Sequence, residues 1–166
     1  MTDARDKCTP GWAHEVGLID LQPPSAVPTT VAEIADRMLA QETAVRYAVA
    51  YDERRLDVID ALVVDDVSFS YRVGAGPLET VSGRQEVLTW LGEVMASQSD
   101  QRRHLVGSIL VEHLTADRAT VVAYSEIIGI EDVAALVTTT VYVFSLVKRD
   151  GRWLISTAVD GLDRPF

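Results

Sequence analysis

Two side chains in this sequence could pass a proton between them, Asp52 and His104. Asp52 lies in the stretch YAVAYDERRLD, residues 47–57, which reads as the end of a helix. At about 100° per residue, Ile34, Met38, Val45 and Asp52 share one narrow stripe, so Asp52 continues an otherwise apolar face. A carboxylate on a buried face must be hydrogen-bonded, paired or neutral, because an isolated buried charge is too costly to keep. The plainer reading is a helix-terminal Asp that bends back onto the backbone of the next turn. His104 sits in QRRHLVGSIL, residues 101–110, at the start of a strand, with Val106 and Ser108 on its face and Gly107 a candidate bulge. Imidazole exchanges a proton near neutral pH, and a facing carboxylate can orient or charge it. A lone strand histidine is otherwise a core residue with its hydrogen bonds satisfied.

Tyr47, Tyr51 and Tyr71 gather around Asp52 in sequence, and a phenol can donate to a developing oxyanion. Core packing is the alternative for each. His14 and His113 are scattered and give no metal-ligand spacing such as HxH or HExxH, so no metal is expected. The chain has no GxSxG elbow, P-loop or GxGxxG after a strand, and GAG at 74–76 runs into Pro77 as a turn. No cofactor is therefore expected.

The elements that must hold these side chains follow from periodicity. Residues 1–28 contain QPPSAVP and little apolar period, which predicts an N-terminal arm leading into a domain over 29–166. PTTVAEIADRM opens a long helix ending near residue 53, with Thr30 and Glu33 spaced as a capping box. Leu56, Ile59 and Val63 predict a short second helix. The period then becomes two, with Val67, Phe69, Tyr71 and Val73 alternating with polar residues. A short strand in LETVSG follows, then a helix opened by Ser82 and Gln85 that carries Val87, Leu88, Leu91, Val94 and Met95. The remainder is strand-like over about 102–114, 118–130, 134–148 and 152–160, with RDG as a hairpin turn. Helices, a strand, a helix and a run of antiparallel strands make an α+β order rather than an alternating one.

Composition narrows the partners. The 166 residues include 48% hydrophobic and 24% charged side chains, enough for one domain with a real core. Fifteen basic against 25 acidic residues give a formal charge of −10, which disfavours nucleic acid and anionic membranes. The single cysteine, Cys8, gives no disulfide framework, and no apolar run has the length of a membrane span. A reducing cytoplasm and no export signal are the expectations.

RYAVAYDERRLDVIDALVVDDVSFSY, the later RRHLVGS and the strand pair YVFSLVKRDGRWLIS together resemble the SnoaL-like branch of the nuclear-transport-factor-2-like superfamily over about residues 30–160. The resemblance is to the branch of scytalone dehydratase and bile acid 7α-dehydratase. It implies a cone-shaped α+β barrel, in which a curved, mostly antiparallel sheet is wrapped by about three helices around an apolar cavity. It places the Tyr-Asp pair of scytalone dehydratase on Tyr51 and Asp52, its strand tyrosine on Tyr71 and its first catalytic histidine on His104. The tyrosine of the bile acid enzyme falls on Tyr47, while Ile130 or Glu131 stands where scytalone dehydratase has a second histidine. Trp90, Tyr124, Glu126 and Phe144 are the expected substrate contacts, with Glu126 a candidate acid. The implied function is cofactor-independent proton transfer next to a carbonyl, as a dehydratase or isomerase of a small hydrophobic cyclic ligand, steroid-like or polyketide-derived. A polyketide-type cyclase and a non-catalytic ligand-binding protein are the alternatives. Family members pair or form trimers through the open sheet face, which points to a homo-oligomer using LVTTTVYVFSLV, residues 136–147.

Overall fold

The computed structural model describes residues 11–23 and 28–166; Cys8 and part of the expected arm lie outside them. The elements in chain order are α1 (Trp12–Glu15), α2 (Val31–Asp52), α3 (Leu56–Leu62), β1 (Val63–Val73), β2 (Glu79–Ser82), α4 (Arg84–Ser97), β3 (Gln101–Glu112), β4 (Arg118–Ile130), β5 (Ala134–Arg149) and β6 (Arg152–Leu162). The strands form one six-stranded sheet in the order β2-β1-β6-β5-β4-β3. All pairs are antiparallel except β1 with β6.

Local chemistry starts and stops these elements. Thr30 accepts from the Glu33 amide at 3.2 Å while the Glu33 carboxylate accepts from the Thr30 amide at 3.1 Å, the reciprocal capping box that the sequence predicts. The start of α4 differs from expectation: its N-cap is Gly83 at φ +94°, with no side-chain cap bond from Ser82. Glycine reaches that backbone conformation without the Cβ clash that a serine would meet. Between β5 and β6, Asp150 and Gly151 both have positive φ, as a two-residue hairpin turn requires.

The apolar stripe expected along α2 is only half right. Ile34 and Met38 are 49% and 64% exposed, whereas Ala40, Ala44, Tyr47, Ala48, Ala50 and Tyr51 are buried. The inward line is therefore built from alanines and tyrosines. Small alanines let the helix lie close to the concave face of the sheet, and the two rings fill the space beyond them. Beneath lies an aromatic layer, where Tyr47 meets Phe69 and Phe144 edge-on at 5.5 Å and Tyr142 stacks on Phe144 at 5.4 Å. Ile59, Leu91, Leu146 and Ile155 complete the core.

The convex face is partly covered. A Cβ on Gly161 would lie 2.9 Å from the Trp12 ring and closer still to Leu18, so the arm rests directly on β6. The Trp12 indole N–H donates to Asp163 Oδ1 at 2.7 Å and fixes that contact.

Candidate active site

Asp52 is the last residue of α2 and His104 the fourth of β3, and the fold brings them together. His104 Nδ1 lies 2.5 Å from Asp52 Oδ1, and the His104 backbone N–H donates to Asp52 Oδ2 at 2.8 Å. Both side chains are nearly solvent-free, at 2% exposure for His104 and 6% for Asp52. The carboxylate therefore fixes the strand and the ring at once, which satisfies both of its oxygens. Gln101 Nε2 donates to the Asp52 carbonyl at 2.7 Å and ties the helix end to the same strand. With Nδ1 engaged, Nε2 is the ring nitrogen left without a hydrogen bond among the described residues. The Tyr51 ring packs edge-on against the imidazole at 5.2 Å.

A cavity of about 310 Å³ opens beside the pair, lined by Tyr47, Tyr51, Tyr71, Trp90, His104, Tyr142 and Asp160, among others. Register explains the tyrosines: Tyr71 of β1, Asp160 of β6 and Tyr142 of β5 are direct cross-strand neighbours on the concave face. Trp90 of α4 stacks on Tyr71 at 5.6 Å and walls the opposite side. Phe166 packs 6.2 Å from both the Tyr51 and His104 rings, with the Arg102 guanidinium over its outer face at 4.5 Å.

The hydroxyls differ in their surroundings. Burial lifts Tyr51 to about 12, partly offset by the Gln98 amide, which donates to its oxygen at 2.9 Å. Burial also pushes Tyr47 and Tyr142 well above the usual phenol range, so both stay protonated. Tyr71 is raised mainly because its hydroxyl donates to Glu79 at 2.5 Å. That bond directs the Tyr71 hydroxyl toward β2, so it can act as a donor to a ligand only by giving up Glu79.

Of the four expected substrate contacts, Trp90 lines the cavity. Phe144 lies one layer below, in the aromatic floor. Tyr124 and Glu126 do not line this cavity: both alternate outward from β4, Tyr124 being 51% exposed, and together with His104 they border a second hollow of about 850 Å³. The inward residues of β4 are instead Ala123, Ser125 and Ile127, opposite Tyr142, Thr140 and Thr138. Glu126 therefore supplies no acid to the 310 Å³ cavity and stands instead in the larger hollow that His104 also borders.

The acid within the cavity is Asp160, which sequence parity hides. Trp153 and Ile155 point inward and would send even positions out, but β6 skips Ser156 in its pairing with both neighbours, and Ala158, Asp160 and Leu162 turn inward instead. A carboxylate inside the otherwise apolar run TAVDGL is the one signal that could have marked it. Burial raises the Asp160 carboxyl to about 6; its hydrogen bond from the Thr140 hydroxyl and the nearby His104 pull the other way.

This shift has a measurable consequence for stability. Below pH about 4 the group is protonated in both folded and unfolded chains; between about 4 and 6 the unfolded chain ionises while the native state resists, and above 6 the native state carries the full cost, up to about 3 kcal/mol. Urea unfolding of Asp160→Asn is expected to show a gain over wild type at pH 8 that shrinks toward pH 4.5. An equal difference at both pH values would contradict the raised carboxyl.

The chain is thus an α+β cone closed by helices over a cavity that a buried acid-imidazole pair borders. The chain belongs to the SnoaL-like domain family, whose sequence pattern matches residues 32–159. Over 69 residues it is 35% identical to an uncharacterized protein of Mycobacterium tuberculosis strain H37Rv, a match covering 41% of this chain and 44% of that relative. The chain thus spans less than half the length of that relative. An NTF2-like protein with a cystatin-like fold from Novosphingobium aromaticivorans aligns with TM-score 0.67 at 17% identity, over 80% of this chain and 84% of the other. A proposed scytalone dehydratase from the same organism aligns with TM-score 0.68 at 19% identity, over 82% and 93%. A hexachlorocyclohexane dehydrochlorinase from Novosphingobium barchaimii gives 0.66 at 19%, over 81% and 92%. These likenesses establish the NTF2-like fold. No described helix is long and apolar enough to cross a membrane.

Proposed function

We propose that the protein is a cofactor-independent lyase or isomerase that moves a proton next to a carbonyl of a small, uncharged ring ligand. The supporting observation is the buried His104–Asp52 contact, which leaves Nε2 as the unpaired nitrogen beside a cavity with an aromatic lining. Nε2 takes the proton from the carbon adjacent to the carbonyl, and the C–H electrons form the enolate. A protonated tyrosine, Tyr47 or Tyr51, donates to the enolate oxygen. The proton held by His104 then goes to a departing hydroxyl, which leaves as water, or to another carbon, which gives the isomer. Two of the structural neighbours are named for eliminations, a proposed scytalone dehydratase and a hexachlorocyclohexane dehydrochlorinase.

The cavity sits at the small end of the ~300–1,000 Å³ range of ligand sites and holds about ten waters' worth of space. Within this cavity, as distinct from the 850 Å³ hollow on the other side of His104, a ligand of one or two rings fits better than a tetracyclic steroid. The test is deuterium incorporation from solvent into the α-carbon of such a ketone, 1-tetralone being a suitable probe, followed by NMR. Incorporation above the buffer rate supports the proposal; a buffer-rate result with the ketone bound would assign the protein to ligand binding alone.

We further take residues 29–166 as the domain, the cytoplasm as its compartment and a dimer or trimer as its working form. Leu105, Tyr124 and Leu136, each 51% exposed or more on the convex face, support association there. Within the stretch expected to form the interface, the even positions from Thr138 to Leu146 face the concave core, and of the outward set Val141 is already buried while Thr139, Val143 and Ser145 are part-exposed. Sedimentation equilibrium is expected to give a multiple of 18.2 kDa; a strict monomer would remove the oligomer.

A further inference from the structure

Asp160 is the acid that the dyad does not use. It occupies the middle of the concave row Tyr71, Asp160, Tyr142 and lines the cavity. Of its two oxygens, Oδ1 accepts from the Thr140 hydroxyl, and Oδ2 has no hydrogen bond among the described residues. No lysine or arginine is among the residues that line the cavity. The titratable groups facing Asp160 are Tyr47 and Tyr51 from α2, Tyr71 from β1, His104 from β3 and Tyr142 from β5; α4 contributes the uncharged Trp90. Arg102 lies behind Phe166 and acts on Tyr51, not directly on Asp160. Three phenols that burial keeps protonated thus surround a carboxyl with no lysine or arginine beside it, and the His104 imidazole is the one ionisable base among the cavity residues.

A carboxyl in such a place resists ionisation, and a neutral carboxyl has one thing that a carboxylate lacks, an O–H to donate. We propose that Asp160 is the ligand-anchoring acid of the cavity. In its neutral form it donates a hydrogen bond from Oδ2 to a carbonyl or hydroxyl oxygen of an uncharged ring ligand, and in its ionised form it repels anionic ones. The Thr140 hydroxyl holds Oδ1 so that the free oxygen points where the ligand sits. The cavity is thereby selective for ketones and phenols over carboxylates of the same shape. The proposal shares with the proton-transfer reading only the cavity as ligand site. It is read by binding, so that its failure and the failure of the dyad are separable.

The raised proton affinity of the group sets the pH window. An acceptor ligand that requires the neutral form loses affinity by about tenfold per pH unit above the carboxyl's own titration, and its binding takes up a proton there. Calorimetric titration of the full chain with 1-tetralone between pH 5 and 8 is expected to show that decline. At pH 7.5, repeating it in buffers of different ionisation enthalpy is expected to show uptake approaching one proton. Asp160→Asn, which keeps a donor and cannot ionise, is expected to bind with no such slope, and Asp160→Ala to bind at least tenfold more weakly at pH 5.5. 1-Naphthoate is expected to bind wild type at least tenfold more weakly than 1-tetralone at pH 7.5. A flat wild-type profile without proton uptake, equal affinity for naphthoate, or absence of 1-tetralone binding at pH 5.5 each overturns the proposal. The wild-type measurements stand even if a variant fails to fold.

Discussion

Asp52→Asn is expected to lower deuterium incorporation into a bound ketone by up to about 10⁴-fold, and His104→Ala by about 10²–10⁴-fold. The two losses arise differently. Alanine simply removes the base. Asparagine is close in shape to aspartate but carries one acceptor where aspartate has two, and the site demands two: the His104 backbone N–H at 2.8 Å and the ring nitrogen at 2.5 Å. If the amide oxygen keeps the backbone N–H, the amide NH₂ faces Nδ1 and donates to it. The ring proton then moves to Nε2, and the nitrogen facing the cavity is no longer free to accept. Exchange followed by NMR, with ketone affinity measured on the same samples, checks this. The expected result is retained binding with lost exchange; near wild-type exchange in His104→Ala would rule out the dyad.

Phe144→Ala is expected to have the largest effect on stability, about 3–5 kcal/mol. The ring is 1% exposed and is held edge-on by Tyr47 and in stack by Tyr142, so its removal strips contacts from two residues that line the cavity. The row Val121, Phe144, Ala158, Phe69 crosses four strands at this level, and the backbone around it is too well paired to collapse into the void. A domain of this size has roughly 5–15 kcal/mol in total, so the loss is a large share. At about 2–4 °C per kcal/mol, thermal unfolding is expected to drop by roughly 6–20 °C. A shift within 2 °C would mean that Phe144 is not the keystone of this layer.

Much of the architecture is written in short-range signals. The Thr30 and Glu33 pair marks the start of α2, the Asp150-Gly151 turn marks the β5 to β6 hairpin, and alternation marks β4 and β5 to within a residue or so. Asp52 was legible for a reason that the structure modifies: the stripe leading to it is exposed at Ile34 and Met38, and its burial comes from β3, which lies across the helix end. What stayed hidden is what long-range register decides. The inward turn of Asp160 depends on an irregularity at Ser156 that leaves no composition signal, and the outward turn of Tyr124 and Glu126 depends on which parity of β4 the helices cover. Gln98, Phe166 and Arg102 reach the site only through tertiary contacts with Tyr51 and with each other.

The place of β6 in the sheet has a consequence for how the molecule is made. It is the last strand in the sequence, yet it lies between β1 and β5, joining the β1–β2 hairpin to the other three strands. During synthesis the two halves of the sheet have no edge to share until residues 152–162 emerge, and β1 then pairs with β6 across about ninety residues of intervening chain. Until that moment the strand edges of β1 and β5 stand open, inviting pairing with other chains. The same strand brings Asp160 opposite Tyr71, so the site and the continuous sheet are completed in one late event, and a nascent chain short of β6 has neither.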